Sequence, residues 1–159
     1  MTRATTIATA SARETKKAAE KILHTLLMKR LRPTILALEG ELGSGKTTFI
    51  QGLARGLGIK EKVQSPTFVL VKWYKLSKRR HPLRHLVHVD AYRLESLAEA
   101  RHLGLRDAFR DPEAIIVIEW ADRIKKLIPK NAVWIRFTHG TKPSTRYLEI
   151  KSKSKNFNF

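Results

Sequence analysis

The chain contains no cysteine. That excludes a disulfide framework, a cysteine-ligated metal site and a thiol nucleophile. Acids are scarce: 14 Asp and Glu stand against 32 Lys and Arg, a formal net charge of +18. Such a surface attracts polyanions and speeds their encounter. The basic residues are spread along the chain, with clusters at 72–84, 125–130 and 151–155. No aromatic-rich RNA-binding motif accompanies them, and no internal repeat is visible. No apolar run reaches the ~18 residues of a membrane span. The segment before Ser11 is rich in Thr and Ala and lacks acids, but it has no apolar h-region and is too short for a transit peptide. The expectation is one soluble, cytoplasmic domain, long enough at 159 residues for a single α/β core.

What is present is a phosphate loop. Gly40-Glu-Leu-Gly-Ser-Gly-Lys-Thr47 fits G-x-x-x-x-G-K-[ST] at every fixed position. At average residue frequencies, with Gly near ~7%, a chain of this length matches by chance roughly once in a few hundred. The flanks narrow this further. Thr34–Leu38 reads as a buried strand, and Phe49, Ile50, Leu53 and Ala54 share one helical face. A phosphate chain needs many N–H donors, which a helix N-terminus offers unpaired and with a favourable dipole. Gly43 and Gly45 let the backbone curl close. Lys46 is expected to reach the β/γ-phosphates and Thr47 to take a Mg²⁺ position.

The remaining chain reads as alternating elements. Thr5–Ala8 suits a short edge strand, and Ser11-Ala-Arg-Glu14 a capping box opening a helix with Ala18, Ile22, Leu26 and Leu27 inward. Arg32-Pro33 ends that segment, and Gly56 and Gly58 end the next helix. Residues 63–67 form a loop fixed by Pro66. Phe68–Tyr74 and Leu86–Asp90 read as a hairpin across a basic turn at 75–84. Leu97–Leu103 reads as helix, Asp111-Pro112 as a break, and Ala114–Ile118 as a central parallel strand. Asp122–Leu127 suits a short helix ended by Pro129. Ala132–Phe137 and Arg146–Ile150 suit a closing strand pair around Gly140. The predicted architecture is α/β: a single P-loop NTPase-type domain over 1–150, with a mixed parallel and antiparallel sheet flanked by helices. A basic tail at 151–159 is expected to fray.

A phosphate loop also needs an acid at the C-terminal end of a neighbouring strand. Asp90 and Glu119 both end strands where open α/β sheets place ligands. One would hold Mg²⁺, directly or through water, and the other would orient the attacking water; spacing does not divide the roles. Ser65-Pro66-Thr67 lies where nucleotide-sensing loops sit, so the Thr67 hydroxyl is a candidate to approach Mg²⁺ or the γ-phosphate. Trp120 follows Glu119 and suits either stacking or core cover, with core cover the commoner use. His81, His85 and His88 recur at i, i+4, i+7, but Pro82 and the following strand disfavour a helical zinc site.

The ordered set Gly40–Phe49, Ser65-Pro-Thr-Phe68, His88-Val-Asp-Ala-Tyr-Arg-Leu94, Gly104-Leu-Arg-Asp107 and Ile118-Glu-Trp-Ala-Asp122 resembles the TsaE (YjeE) family. These are small ATPases of bacterial tRNA threonylcarbamoyladenosine biosynthesis. The likeness runs from about Ser11 to Ile150. The resemblance implies that Leu42, Gly43, Ser44, Gly45, Lys46, Thr47 and Thr48 hold ATP, that Ala12 lies near the adenine, and that Trp120 serves nucleotide binding or activity. It implies Mg²⁺ on Thr47 and Glu119, with Asp90, Thr67 and Lys46 serving hydrolysis. It also implies slow turnover alone and stimulation by a TsaB–TsaD pair that modifies the tRNA adenosine next to the anticodon. Typical members are near neutral or acidic, whereas this chain is strongly basic. Two modes of tRNA engagement stay open: through the partners, or directly through the basic surface. The competing reading is a small-molecule or nucleoside kinase, with Lys78-Arg79-Arg80 as a lid over the phosphates.

Overall fold

Residues 114–118 are apolar without interruption, and such a strand is stable where both its faces are covered. In the computed structural model, which describes residues 3–30, 34–77 and 82–153, this run is β5 (Ala114–Glu119) and is buried at every position. Its parallel neighbours are β2 (Thr34–Gly40) and β4 (His85–Asp90). β3 (Val71–Lys75) closes that side antiparallel to β4. On the other side β6 (Val133–His139) runs parallel to β2, and β7 (Arg146–Ser152) and β1 (Arg3–Thr9) follow antiparallel. Among the described residues these form one seven-stranded sheet, β1-β7-β6-β2-β5-β4-β3. It is the mixed α/β sheet expected from the sequence.

Two helices cover one face of every strand. α1 (Ala12–Met28) opens on the expected capping box: Ser11 Oγ accepts from the Glu14 N–H at 3.1 Å. Glu14 reaches back as predicted, but to the Ala10 N–H (2.8 Å). α2 (Lys46–Gly56) follows the Gly-rich turn and buries Phe49, Ile50 and Leu53. Phe49 meets Phe137 edge-on at 5.5 Å between ring centroids, a geometry aromatic pairs favour. The second face is covered over β2, β5 and β4 by α3 (Leu97–His102), α4 (Leu105–Ala108) and a 3₁₀ turn at Ala121–Ile124.

The two long helices pack closely at Gly52. A Cβ there would lie 2.5 Å from the Lys16 carbonyl oxygen and 2.7 Å from Lys16 Cα. In an exposed helix, Gly→Ala stabilises by about 1 kcal/mol. Here the sign reverses, because backbone cannot yield: Gly52→Ala is expected to destabilise by about 1–3 kcal/mol. Urea unfolding would show a lowered midpoint at unchanged m-value.

Several boundaries differ from the sequence reading. Phe68 and Val69 are not strand. They are 85% and 67% exposed in a turn closed by the Leu70 N–H on the Pro66 carbonyl, and pairing begins only at Val71↔Val89. The helix read over 97–103 is present as α3, and a second short helix, α4, follows it after Gly104 at φ +69. The helix expected at 122–127 is the 3₁₀ turn, begun one residue earlier. β7 reaches Ser152, so the segment expected to fray starts inside the sheet, where Lys151 pairs with Ala4 and Trp134. Arg32-Pro33, the Lys78–Arg80 lid, His81 and the tail from 154 lie outside the described residues.

Candidate functional site

The sheet's parallel strands end together. Asp90 and Glu119 are direct neighbours across β4 and β5, and Glu119 pairs with Leu38 of β2 just before the phosphate loop. Gly43 and Gly45 have φ of +74 and +103. The turn therefore needs the backbone freedom the sequence assigned to them. Leu42 is 80% exposed at the loop tip, Ser44 is fully buried, and Thr48 is half-buried in the first turn of α2.

Lys46 is almost fully buried. Its ammonium donates to the carbonyls of Gly40 (2.7 Å) and Glu41 (2.8 Å) and lies 4.1 Å from the centre of the Trp120 ring. Burial pulls its pKa below the usual lysine value, while the carboxylates of Glu119, Asp122 and Asp90 oppose that shift. Thr47 Oγ1 donates to Glu119 Oε2 at 2.9 Å. The other oxygen of Glu119 accepts from His88 Nε2 at 2.8 Å. Both oxygens of this buried carboxylate are thus aimed by named partners. Thr47 and Glu119 supply hard oxygen donors side by side, which suits Mg²⁺ rather than a soft metal. Among the described residues no group of three or more His, Cys, Asp or Glu is arranged around a cation.

Asp90 sits in a second cluster. Its Oδ2 accepts from Thr67 Oγ1 (3.1 Å) and from Ser65 Oγ, and its Oδ1 from the Tyr92 N–H (2.9 Å). Thr67 and Asp90 are thus brought together, as are Thr47 and Glu119. Trp120 is half-buried in the left-handed region, φ +56 and ψ 39. A bulky residue rarely adopts that conformation, and it clusters at functional sites. Tyr92 packs on its ring at 5.0 Å between centroids, so Trp120 forms part of the rim as well as the core. Ala12 lies exposed at the start of α1, whose first turn flanks the loop: Thr15 Cγ2 would be 3.9 Å from a Cβ on Gly45.

Four contributors went unread in the sequence. His88 stands in the family motif, and its place two residues before Asp90 on the same strand face is the signal for its role. Ser65 shares Asp90 with Thr67. Arg146, from the opposite end of the chain, donates to the Gly43 carbonyl at 3.2 Å. Tyr92 supports Trp120. Arg146 left no local signal, because its role depends on β7 lying beside β6.

Comparisons with known proteins show the family and the fold. The model of the family described as threonylcarbamoyl adenosine biosynthesis protein TsaE matches residues 9–148. The tRNA threonylcarbamoyladenosine biosynthesis protein TsaE of Bacillus subtilis is 41% identical over 101 residues, 64% of this chain and 59% of the relative. The protein of the same name from Haemophilus influenzae is 32% identical over 124 residues, 78% of this chain and 73% of the relative. The chain thus spans less than two thirds of the Bacillus relative's own length. The crystal structure of Bacillus subtilis YdiB superposes with a TM-score of 0.75 at 30% identity, covering 97% of this chain and 88% of that one. A family model that matches residues 9–148, relatives above 30% identity and a shared fold mean that this chain belongs to the TsaE family.

Proposed function

We propose that the chain is a Mg²⁺-dependent ATPase serving threonylcarbamoyladenosine modification of the tRNA adenosine next to the anticodon, in the cytoplasm and together with a TsaB–TsaD pair. One observation carries this reading. Lys46, the Thr47–Glu119 pair and the Thr67–Asp90 pair converge at the C-terminal end of three parallel strands. Phosphoryl transfer asks little covalent chemistry of a protein; it asks for positioning and for charge opposite the phosphates.

The N–H groups of 42–48 cradle the phosphate chain, and the Lys46 ammonium neutralises it. Thr47 and Glu119 would hold Mg²⁺, which would supply charge opposite the phosphates. His88 keeps Glu119 turned towards Thr47. Asp90 orients water and accepts its proton, while Thr67 and Ser65 hold the carboxylate and tie the 65–69 loop to the site. Trp120 and the start of α1 around Ala12 bound the nucleotide on its two sides.

The test measures free phosphate release with and without a purified TsaB–TsaD pair from the same source. We expect slow release alone and severalfold stimulation by the pair. Unstimulated release removes the partner from this reading. Phosphate recovered on an added nucleoside rather than in solution replaces the ATPase with a kinase.

A further inference from the structure

The sheet is covered unevenly. α1 and α2 pack under all of it, including Ile7 of β1 and Leu148 and Ile150 of β7. On the opposite face the core cluster reaches Trp134 of β6 at its edge and includes no residue of β7 or β1. Two rows of side chains cross the strands on this face. One runs Ala37–Trp134–Lys151–Ala4, the other Glu39–Arg136–Glu149–Thr6. Between these rows and the 125–130 segment lies a groove of about 450 Å³.

The groove is basic. Lys125, Lys130, Arg136, Lys151 and Lys153 face two carboxylates, Glu39 and Glu149. The carboxylates are already engaged, by Arg136 Nε (2.6 Å) and Lys151 Nζ (2.9 Å). Among the described residues no ion pair includes Lys125, Lys130 or Lys153. Half-buried Trp134 also lines the groove, with Lys125 Nζ 5.7 Å from the centre of its ring. Cations that track a backbone, beside an aromatic face on an open sheet, form the arrangement that binds single-stranded nucleic acid.

We propose that this face is a docking groove for single-stranded RNA. A flat anionic membrane does not enter a concave groove. An acidic peptide would meet the lysines and leave the indole unused. A duplex keeps its bases stacked and out of reach of Trp134. The groove also continues towards the phosphate loop. A second cavity of about 520 Å³, lined by Glu41 and Trp120, shares Glu39 and Arg136 with it. RNA phosphates seated there compete with Glu39 for Arg136, one residue from the start of the loop at Gly40.

The test is fluorescence anisotropy with an unstructured mixed-sequence RNA of about 12 nucleotides, the scale of one such site. It runs without ATP or partners, so its outcome is independent of the ATPase reading. Lys125→Glu/Lys130→Glu/Lys153→Glu should weaken binding at least about tenfold, and neutralising about three phosphates gives a log–log salt slope near −2. Trp134→Ala should cost about fivefold or more, with Trp134→Phe restoring most of it. Lys17→Glu/Lys21→Glu/Lys60→Glu, with the same charge change on the opposite face, should cost less than about twofold. On the unaltered protein, photo-crosslinks should map to residues 125–136 and 151–153. The proposal is overturned if the control triple weakens binding equally, if duplex RNA binds as tightly, if oligo-glutamate of equal charge displaces the RNA as well as RNA does, or if crosslinks fall elsewhere.

Discussion

Lys46→Ala is expected to lower ATP affinity by about 100-fold or more, a loss of about 2.7 kcal/mol. The ammonium sits within a set of acids, and Glu119, Asp122 and Asp90 all favour its charged form. Without it, a polyanionic phosphate chain would enter a site whose nearest charges are negative. In the described conformation Lys46 holds the Gly40 and Glu41 carbonyls and faces Trp120. A phosphate therefore exchanges places with neutral acceptors, and the charge-assisted bond is the stronger. Lys46→Arg should fail as well, because a planar guanidinium does not reproduce a compact ammonium in this buried position. Because burial lowers the Lys46 pKa, affinity for ATP should fall with rising pH before ordinary lysines titrate. Isothermal titration at matched Mg²⁺ measures both. Unchanged affinity in Lys46→Ala would overturn the assignment of the loop.

Asp90→Ala should reduce turnover by about 10²–10⁴-fold, the range lost with a positioned acid–base group, while ATP affinity stays nearly constant. Glu119→Ala should instead flatten the dependence of binding and turnover on Mg²⁺. The two acids differ because of their partners. Glu119 is fixed between Thr47 and His88, whereas Asp90 accepts from the hydroxyls of Ser65 and Thr67 in the loop after α2. Glu119→Ala carries a second cost. His88 is fully buried, and its Nδ1 has no hydrogen-bond partner among the described residues. Losing Glu119 would strip the other ring nitrogen too, costing about 1–3 kcal/mol of stability. A thermal melt beside the kinetics separates the effects: Glu119→Ala should melt earlier and Asp90→Ala much less so. The opposite pattern of Mg²⁺ dependence would exchange the two roles.

Local patterns were readable wherever the physics is local. The capping box at Ser11, the Gly-rich turn before α2 and the apolar run of β5 each follow from short-range rules, and each stands where the sequence put it. The errors share a cause. Phe68 and Val69 have strand-forming side chains, yet a strand needs a partner ladder, and β4 offers one only from Val71. Lys151 looks like solvated tail until β1 and β6 lie on either side of its strand.

The candidate site divides the same way. The sequence by itself determined that a phosphate loop is present, that Asp90 and Glu119 end strands, and that Trp120 follows Glu119. Those are properties of a few consecutive residues, fixed by backbone freedom, hydrogen-bond supply and charge. Only the tertiary structure decided that Glu119 is shared between Thr47 and His88, that Arg146 reaches the Gly43 carbonyl, and that Trp134 lies among lysines from two separate stretches. Those contacts join residues tens of positions apart. They depend on strand order and register, which sheet-wide burial fixes and no local window contains.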